Sequence, residues 1–256
     1  MPPAADARPP LDVDRLTPLG VEVVPQAGST NALVADRARL GAPEWLVVAT
    51  EHQTAGRGRL DRVWETPDRA ALTFSTLLRP RPPAGEWPWL PLLAGVAVVG
   101  ALRDRRVPAG LKWPNDVLTG GAKAAGILVE RVETAVGPAA VLGIGLNVSQ
   151  GRDELPVDTA TSIALATGEA PDRTDLLEGI LAGLRTQYAA WSAGGGPAVR
   201  PAYVDACTTV GQDVRVVLPG GGELVGRAGD VDAGGRLVVG GTPVAAGDVV
   251  HVRPAP

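Results

Sequence analysis

The 256-residue chain is poor in the side chains that most metal sites and nucleophilic enzymes use. Cys207 is the only cysteine, and His52 and His251 are the only histidines. A single cysteine forms no internal disulfide, and it has no partner at the spacing of a zinc site. A Ser-His-Asp or Cys-His hydrolase would have to use one of two histidines, one of which lies almost at the end of the chain. These absences disfavour a disulfide scaffold, a structural zinc site and a nucleophilic hydrolase.

The chain also has neither a basic excess nor a long apolar run. Its formal net charge is −4, whereas proteins that bind nucleic-acid backbones are usually basic. The longest apolar tract, residues 87–102, is shorter than the roughly 20 residues that span a bilayer, and prolines and glycines interrupt it. The first ten residues lack the basic and apolar regions of a secretory signal. We therefore expect a cytoplasmic protein that binds neither nucleic acid nor membrane.

A segment rich in glycine and arginine follows the first strongly apolar stretch. Residues 45–50 are apolar and partly β-branched, which predicts a buried strand, and residues 51–64 then form a predicted loop. The loop carries two glycines and three arginines: Gly56, Gly58, Arg57, Arg59 and Arg62. Glycine allows close backbone approach, and arginine forks bind phosphate or carboxylate. The alternative is a surface hairpin with solvated arginines.

Alternating helix and strand patterns predict one α/β domain over residues 16–206, after a disordered lead over residues 1–15. Strands are predicted at 21–24, 45–50, 71–78, 117–118, 125–131 and 138–148, and helices at 32–40, 89–106, 174–191 and 197–207. From residue 211 onward, glycine turns separate short β-prone segments. This pattern predicts a small β-barrel within a second domain, residues 207–256.

Four further clusters give the glycine-arginine loop a context. They are Ser29-Thr30-Asn31, residues 112–116 (Lys-Trp-Pro-Asn-Asp), residues 123–130 (Lys-Ala-Ala-Gly-Ile-Leu-Val-Glu) and residues 143–148 (Gly-Ile-Gly-Leu-Asn-Val). Each has a simpler interpretation. The first suits the N-cap of helix 32–40, and lysines on paired strands are usually solvated. A hairpin over 117–131 would place Lys112 and Lys123 at related heights on neighbouring strands, where both could face one pocket.

In this order, the clusters resemble those of biotin protein ligases, which activate biotin with ATP and attach it to a lysine of a carrier domain. The resemblance implies an α/β (α+β) catalytic domain with a mixed, largely antiparallel sheet flanked by helices, as in class II synthetase-like ligases, followed by an SH3-like β-barrel. It implies that ATP and Mg²⁺ are used to form biotinyl-5'-AMP. The implied acceptor is a lysine of the biotin carboxyl carrier domain of acyl-CoA or pyruvate carboxylases.

The same resemblance assigns roles to individual residues. The implied catalytic residues are Lys123, Arg57, Arg59, Lys112 and Asp116. The implied biotin-binding residues are Ser29, Thr30, Asn31, Gln53, Arg57, Gly58, Arg59, Lys123 and Gly126, with the first three at the ureido ring. The implied ATP-binding residues are Arg59, Trp64, Lys112, Asn115, Lys123 and Asn147, with Trp64 against the adenine. Asp116 either helps to hold Mg²⁺ or takes a proton from the acceptor amine.

The sequence departs from the family pattern at one position, because Asp61 stands where the loop usually has a third glycine. Residues 1–28 are too few for the helix-turn-helix domain of the family's repressors, which implies the short class that does not regulate DNA. Two other functions remain open: a lipoate or octanoate ligase built on the same core, and a non-catalytic regulator that binds the ligand.

Overall fold

A mixed sheet of eight strands forms the centre of the computed structural model, which describes residues 8–59 and 62–251. Seven strands follow the order β1-β2-β4-β8-β7-β6-β5, and β3 pairs with β2. Strands β1 and β2 run parallel, and every other pairing in the sheet is antiparallel. The predicted mixed, largely antiparallel sheet is confirmed.

The helices of this part are α1 (Val13–Leu16), α2 (Thr30–Arg39), α3 (Trp89–Arg103), α4 (Ile163–Thr167) and α5 (Arg173–Ala206). The strands of the large sheet are β1 (Val21–Ala27), β2 (Val47–Arg57), β3 (Val63–Thr66), β4 (Ala71–Leu78), β5 (Ala109–Lys112), β6 (Asp116–Thr119), β7 (Ala122–Thr134) and β8 (Gly137–Asn147).

Helices cover both faces of the sheet. The side chains of β4 point alternately to these two faces. All eight residues of β4 are buried, because β2 and β8 flank it and helices lie above and below. Leu72, Phe74 and Leu78 belong to the large core that includes α3 and α5. Leu77 points the other way, into a smaller cluster with Val34 of α2. Successive side chains of a strand alternate in this way, so Thr73 and Ser75 also face the α2 side.

Two predicted helices differ from the structure at their ends. Helix α3 ends at Arg103 rather than at residue 106, where Arg106 takes a positive φ of 60° in the turn that follows. Helix α5 combines the two helices predicted at 174–191 and 197–207, with a break at Gly195, where φ is 64° and ψ is −163°. Glycine adopts this backbone conformation without steric cost. Among the described helices, none combines the length and apolar character that a membrane crossing requires.

The prediction of a disordered lead over residues 1–15 is wrong for residues 8–15. Arg8 is buried and forms an ion pair with Glu154 at 2.6 Å. The backbone N–H of Leu11 donates to Glu51 Oε1 at 2.7 Å, and Arg173 donates to the carbonyl of Pro9 at 2.7 Å. These contacts hold the segment on the domain, a long-range effect that its proline-rich composition does not indicate. Residues 1–7 lie outside the described part of the chain.

The C-terminal segment forms a separate antiparallel sheet of five strands, as predicted for a small SH3-like barrel. The strands are β9 (Asp213–Val217), β10 (Glu223–Val231), β11 (Leu237–Val239), β12 (Thr242–Val244) and β13 (Asp248–His251), in the order β12-β11-β10-β9-β13. This sheet packs directly on the first part of the chain. The indoles of Trp89 and Trp113 donate to the carbonyls of Ala233 and Gly235, at 2.7 and 3.1 Å.

Candidate active site

The glycine-arginine segment is a hairpin, and the prediction of a loop over 51–64 is wrong for most of its length. Strand β2 continues to Arg57, and β3 pairs back on it with Gly56 opposite Trp64. Gly56 is required there because a Cβ would overlap the Gln53 side chain and the carbonyl of Trp64. Leu60 and Asp61 lie outside the described residues, so the departure at Asp61 is not tested.

A row of five residues, two of them glycines, crosses the sheet on the α2 face. Thr73, Gly145, Gly126, Asp116 and Lys112 stand directly opposite one another on five neighbouring strands, from β4 to β5. Residues directly opposite in a sheet share a face, and neighbouring strands lie about 4.8 Å apart. The two glycines therefore make a flat floor on which a ligand or side chain can lie, with Asp116 and Lys112 at one end.

The Trp64 indole lies on this floor. A Cβ on Gly145 would overlap the Trp64 Nε1 atom, and one on Gly126 would lie 3.3 Å from the indole Cζ3. The Nε1 atom is buried and has no hydrogen-bond partner among the described residues. The Lys123 ammonium lies 5.7 Å from the ring centroid, within cation–π range. The floor thus accepts a flat ring, and here that ring is the indole itself. The predicted packing of Trp64 against adenine stays a prediction.

Three predicted biotin-binding residues meet beside this floor: Ser29 and Thr30 at the start of α2, and Gln53 of β2. Ser29 is the N-cap and accepts from the N–H of Ala32 at 3.4 Å, so its simpler interpretation as a cap holds for the chain without ligand. Gln53 Oε1 accepts from the Thr30 N–H at 3.0 Å, and its Nε2 donates to the carbonyl of Trp64 at 3.2 Å. The start of α2 is therefore tied to both strands of the hairpin.

Asn31 connects this group to two residues that had no assigned role, Ser75 and Glu130. Its Oδ1 accepts from Ser75 Oγ at 2.6 Å, and its Nδ2 donates to Glu130 Oε2 at 2.6 Å. Gly143 leaves room for the amide, since a Cβ there would overlap Asn31 Oδ1. Asn31 is buried, so its amide is fixed on three sides.

Lys123 reaches the site because β7 contains one extra residue. Gly126 and Ala125 pair with Asp116 and Val117, but the next partner of β6 is Lys123, opposite Leu118. This bulge reverses the alternation and turns Lys123 to the face of Asp116. Its Nζ lies 2.6 Å from Asp116 Oδ1. The pair joins a predicted cation and a predicted carboxylate of the site.

Lys112 and Lys123 do not lie on neighbouring strands, which corrects the hairpin prediction. The predicted hairpin is present as β6 and β7, but Lys112 belongs to β5, and β6 lies between the two lysines. Lys112 stands opposite Asp116 and close to His251 of β13. Burial, and then the positive charge of Lys112, lower the pKa of His251. The His251 Nε2 atom is 3.1 Å from Thr209 Oγ1.

The three arginines of the hairpin have different partners. Arg57 donates to Glu130 Oε1 at 2.9 Å, and Arg62 pairs with Asp248. Arg59 instead donates to neutral acceptors, Asn115 Oδ1 at 3.1 Å and the carbonyl of Gly247 at 3.4 Å. Burial lowers the pKa of Arg59, and the charges of Asp248 and Asp116 oppose this effect. Within the described residues, Arg59 is thus the hairpin arginine that no carboxylate neutralises through a hydrogen bond.

The side-chain amides of Asn115 and Asn147 both donate to backbone carbonyls. Asn115 Nδ2 donates to the carbonyl of Ile127 at 2.9 Å, while its Oδ1 receives Arg59. Asn147 Nδ2 donates to the carbonyl of Thr161 at 3.0 Å, and its Oδ1 accepts from Gln150 at 2.9 Å. Asn115 therefore joins the cationic group directly. Asn147 lies at the end of β8 and makes none of these contacts.

The described residues contain no cluster of three His, Cys, Asp or Glu side chains that could hold a metal by themselves. Mg²⁺ is commonly held by substrate phosphates, waters and one or two carboxylates. Asp116 is the candidate carboxylate. Its Oδ1 faces Lys123 and has no geometrically regular hydrogen bond.

Four residues that contact the site were not predicted from the sequence: Ser75, Glu130, Gly247 and Asp248. Ser75 lies in an apolar strand, where its position on the α2 face is the only sequence signal. Glu130 ends the cluster 123–130, but no pattern in the sequence joins it to Arg57 and Asn31. The two C-terminal residues reach the hairpin only through the packing of the second sheet.

Comparison with known proteins relates this chain to a known family. The biotin/lipoate A/B protein ligase family matches residues 23–147. The biotin–[acetyl-CoA-carboxylase] ligase of Mycobacterium tuberculosis is 42% identical over 96% of this chain and 97% of its own length. The bifunctional ligase/repressor BirA of Bacillus spizizenii is 34% identical over 82% of this chain and 66% of its own length.

A solved structure supports the same relationship. The biotin protein ligase from Aquifex aeolicus, in complex with biotin and ATP, matches with a TM-score of 0.77 and 25% identity over 91% of this chain and 98% of that one. The fold, the sequence motifs and the Mycobacterium tuberculosis relative, which is similar along nearly its whole length, all indicate the same family. The chain belongs to the biotin protein ligases of the biotin/lipoate A/B protein ligase family.

Proposed function

We propose that this protein forms biotinyl-5'-AMP from biotin and ATP and transfers the biotinyl group to a lysine of a biotin carboxyl carrier domain. The observation that carries this proposal is the division of the site into two chemically different ends. Thr30, Asn31 and Gln53 form a neutral hydrogen-bonding end, and Arg59 and Lys123 form a cationic end beside the glycine floor. Biotin has a neutral ureido ring at one end and a carboxylate at the other, so its polarity matches this division.

The cationic end suits the first half of the reaction. A carboxylate oxygen of biotin attacks the α-phosphorus of ATP, and the bond to pyrophosphate breaks, so that an acyl-adenylate and Mg²⁺-pyrophosphate result. Negative charge accumulates on the phosphoryl oxygens, where preorganised cations stabilise the transition state. We assign this role to Arg59 and Lys123, with Arg57 and Lys112 as further cations of the site. Asn115 holds Arg59, and the Trp64 indole, which lies on the glycine floor, packs against the adenine.

The Lys123–Asp116 pair suits the second half. When the ammonium turns toward a phosphate, the Asp116 carboxylate loses its partner and becomes available to Mg²⁺ or to the proton of the acceptor amine. The amine then attacks the acyl carbon, and AMP leaves. We place this reaction in the cytoplasm, in a catalytic domain of residues 16–206 followed by a second domain of residues 207–256.

The hydrogen-bonding end also argues for biotin over lipoate. The dithiolane ring of lipoate has no N–H or C=O groups, so it could exchange no hydrogen bonds with Thr30, Asn31 and Gln53, whereas the ureido ring of biotin offers both donors and an acceptor. A lipoate ligase therefore has no specific support in this site.

The test is pyrophosphate release from ATP and Mg²⁺ with biotin, lipoate or octanoate as the acid. We expect release with biotin and at least a hundredfold less with the other two. Equal or faster release with lipoate would make the protein a lipoate ligase. Biotin binding without any pyrophosphate release would make it a non-catalytic binding protein.

A further inference from the structure

Glu130 bridges two residues of the site that come from different elements. Its Oε2 accepts from Asn31 Nδ2 at 2.6 Å, and its Oε1 accepts from Arg57 at 2.9 Å. Asn31 is in α2 and Arg57 ends β2, whereas Glu130 lies on β7. One carboxylate thus connects the neutral end of the site to the hairpin.

The contacts continue beyond Asn31 until they return to the hairpin. Ser75 Oγ lies 2.6 Å from Asn31 Oδ1 and 2.7 Å from Thr30 Oγ1. The Thr30 hydroxyl lies 3.3 Å from Gln53 Oε1, and Gln53 Nε2 donates to the carbonyl of Trp64 at 3.2 Å. Arg57 and Trp64 stand on the paired strands of the hairpin, so the chain of polar contacts begins and ends there.

Glu130 decides the direction of the Asn31 amide. The oxygen and nitrogen ends of an amide have nearly the same shape, but an ionised carboxylate can only accept hydrogen bonds. Asn31 must therefore turn its Nδ2 toward Glu130 and its Oδ1 toward Ser75. Gly143 lets the amide approach the sheet closely in this orientation. Without the carboxylate, either end of the amide could face that position.

Glu130 also neutralises Arg57 beside the ring-binding end. The guanidinium is 59% exposed and the carboxylate 30% exposed, so the pair adds little to folding stability. Its effect on the site is larger, because it leaves Arg59 as the hairpin arginine that, within the described residues, no carboxylate neutralises through a hydrogen bond. The carboxylate end of a ligand is thereby directed away from Asn31 and Thr30.

We propose that Glu130 is a positioning residue for the biotin ring: it fixes the amide of Asn31 and holds Arg57, and so makes this end of the site selective for a neutral hydrogen-bonding group. This inference rests on the proposed function, and it adds a residue that acts through its neighbours rather than on the reacting atoms.

The test compares Glu130→Gln with Glu133→Gln, which removes an exposed carboxylate paired with Arg131 at 2.7 Å on the same strand. Glu130→Gln keeps the side-chain shape but removes the charge and can itself donate. We expect the KM for biotin to rise at least tenfold, as when a charge-assisted hydrogen bond is lost. The KM for ATP, and kcat at saturating biotin, should stay within threefold. Glu133→Gln should leave all three within twofold.

A double-mutant cycle separates positioning from a general structural role. In an Asn31→Ala background, Glu130→Gln should raise the KM for biotin by less than threefold, because the amide that it orients is gone. The inference is overturned by a KM for biotin within twofold of the parent in the single variant. It is also overturned by a full tenfold effect in the Asn31→Ala background, or by equal losses for biotin and ATP with a lowered Tm. A parent protein without biotin-dependent pyrophosphate release would instead overturn the proposed function, and this inference with it.

Discussion

At the scale of single residues, the site depends on where each charge is held. Lys123 faces the glycine floor only because the β7 bulge turns it there, and Asp116 keeps its ammonium at 2.6 Å. Lys112 lies on the same face two strands away, and its positive charge helps to lower the pKa of His251. The two lysines therefore have different positions relative to the reacting groups, and their substitutions should have different effects.

Lys123→Met keeps the aliphatic part of the side chain and removes its charge. We expect biotin-dependent pyrophosphate release to fall on the order of a hundredfold, the usual cost of losing one contact to a developing charge in a preorganised site. The matched variant is Lys112→Met, with an expected loss at least fivefold smaller. Single-turnover rates of the two variants check the assignment, and a larger loss in Lys112→Met would reverse it.

The sequence motifs contain most of the residues that the structure brings together here, but they do not predict the contacts between them. Thr30, Asn31, Gln53 and Lys123 stand in short motifs, and the structure brings them to one face of the sheet. Ser75 and Glu130 could not be found, because their roles come from strands that are far apart in sequence and adjacent only in the sheet. The strands were predictable from apolar runs such as Ala71–Leu78. The bulge in β7 was not, because nothing in the composition of that strand marks the extra residue.

At the scale of elements, the hairpin of β2 and β3 is joined to the C-terminal sheet. Arg59 donates to the carbonyl of Gly247, and Arg62 pairs with Asp248 at the start of β13. The second sheet thus holds two arginines of the hairpin. We infer that the C-terminal sheet supports the site by limiting the opening of this hairpin.

Asp248→Asn weakens that link without removing bulk. An exposed ion pair contributes at most about 1 kcal/mol, roughly a fivefold change in an opening equilibrium. We therefore expect trypsin to cut after Arg57, Arg59 or Arg62 two- to fivefold faster in the variant. Asp230→Asn, which breaks the pair with Arg200 elsewhere in the same sheet, is the control. Identical cleavage rates in both variants and the parent would show that Asp248 does not restrain the hairpin.

At the scale of the whole molecule, the basic residues are unusually distributed. Of the 24 lysine and arginine residues in the chain, only Lys112 and Lys123 are lysines. Acyl-adenylates acylate free amines, whereas the arginine guanidinium stays protonated and does not compete. The chain therefore offers almost no lysine acceptor for an adenylate that escapes its own site.

This distribution predicts that the enzyme resists modification by its own intermediate. After hours with biotin, ATP and Mg²⁺, peptide mass mapping should find less than about a tenth of the chains biotinylated on Lys112 or Lys123. An Arg62→Lys variant, which places an amine on the hairpin, should acquire label at that position. Comparable labelling of the parent lysines would contradict the prediction.

Transfer of biotin to a carrier is the reaction that defines the proposed function. The mass of an acceptor protein measures this transfer directly. A biotin carboxyl carrier domain incubated with the protein, biotin, ATP and Mg²⁺ should gain one biotinyl group on one lysine. It should gain none when that lysine is replaced by arginine, when ATP is omitted, or when lipoate replaces biotin. An unchanged carrier mass with folded, biotin-binding protein, or a lipoyl group in place of the biotinyl group, would contradict the account.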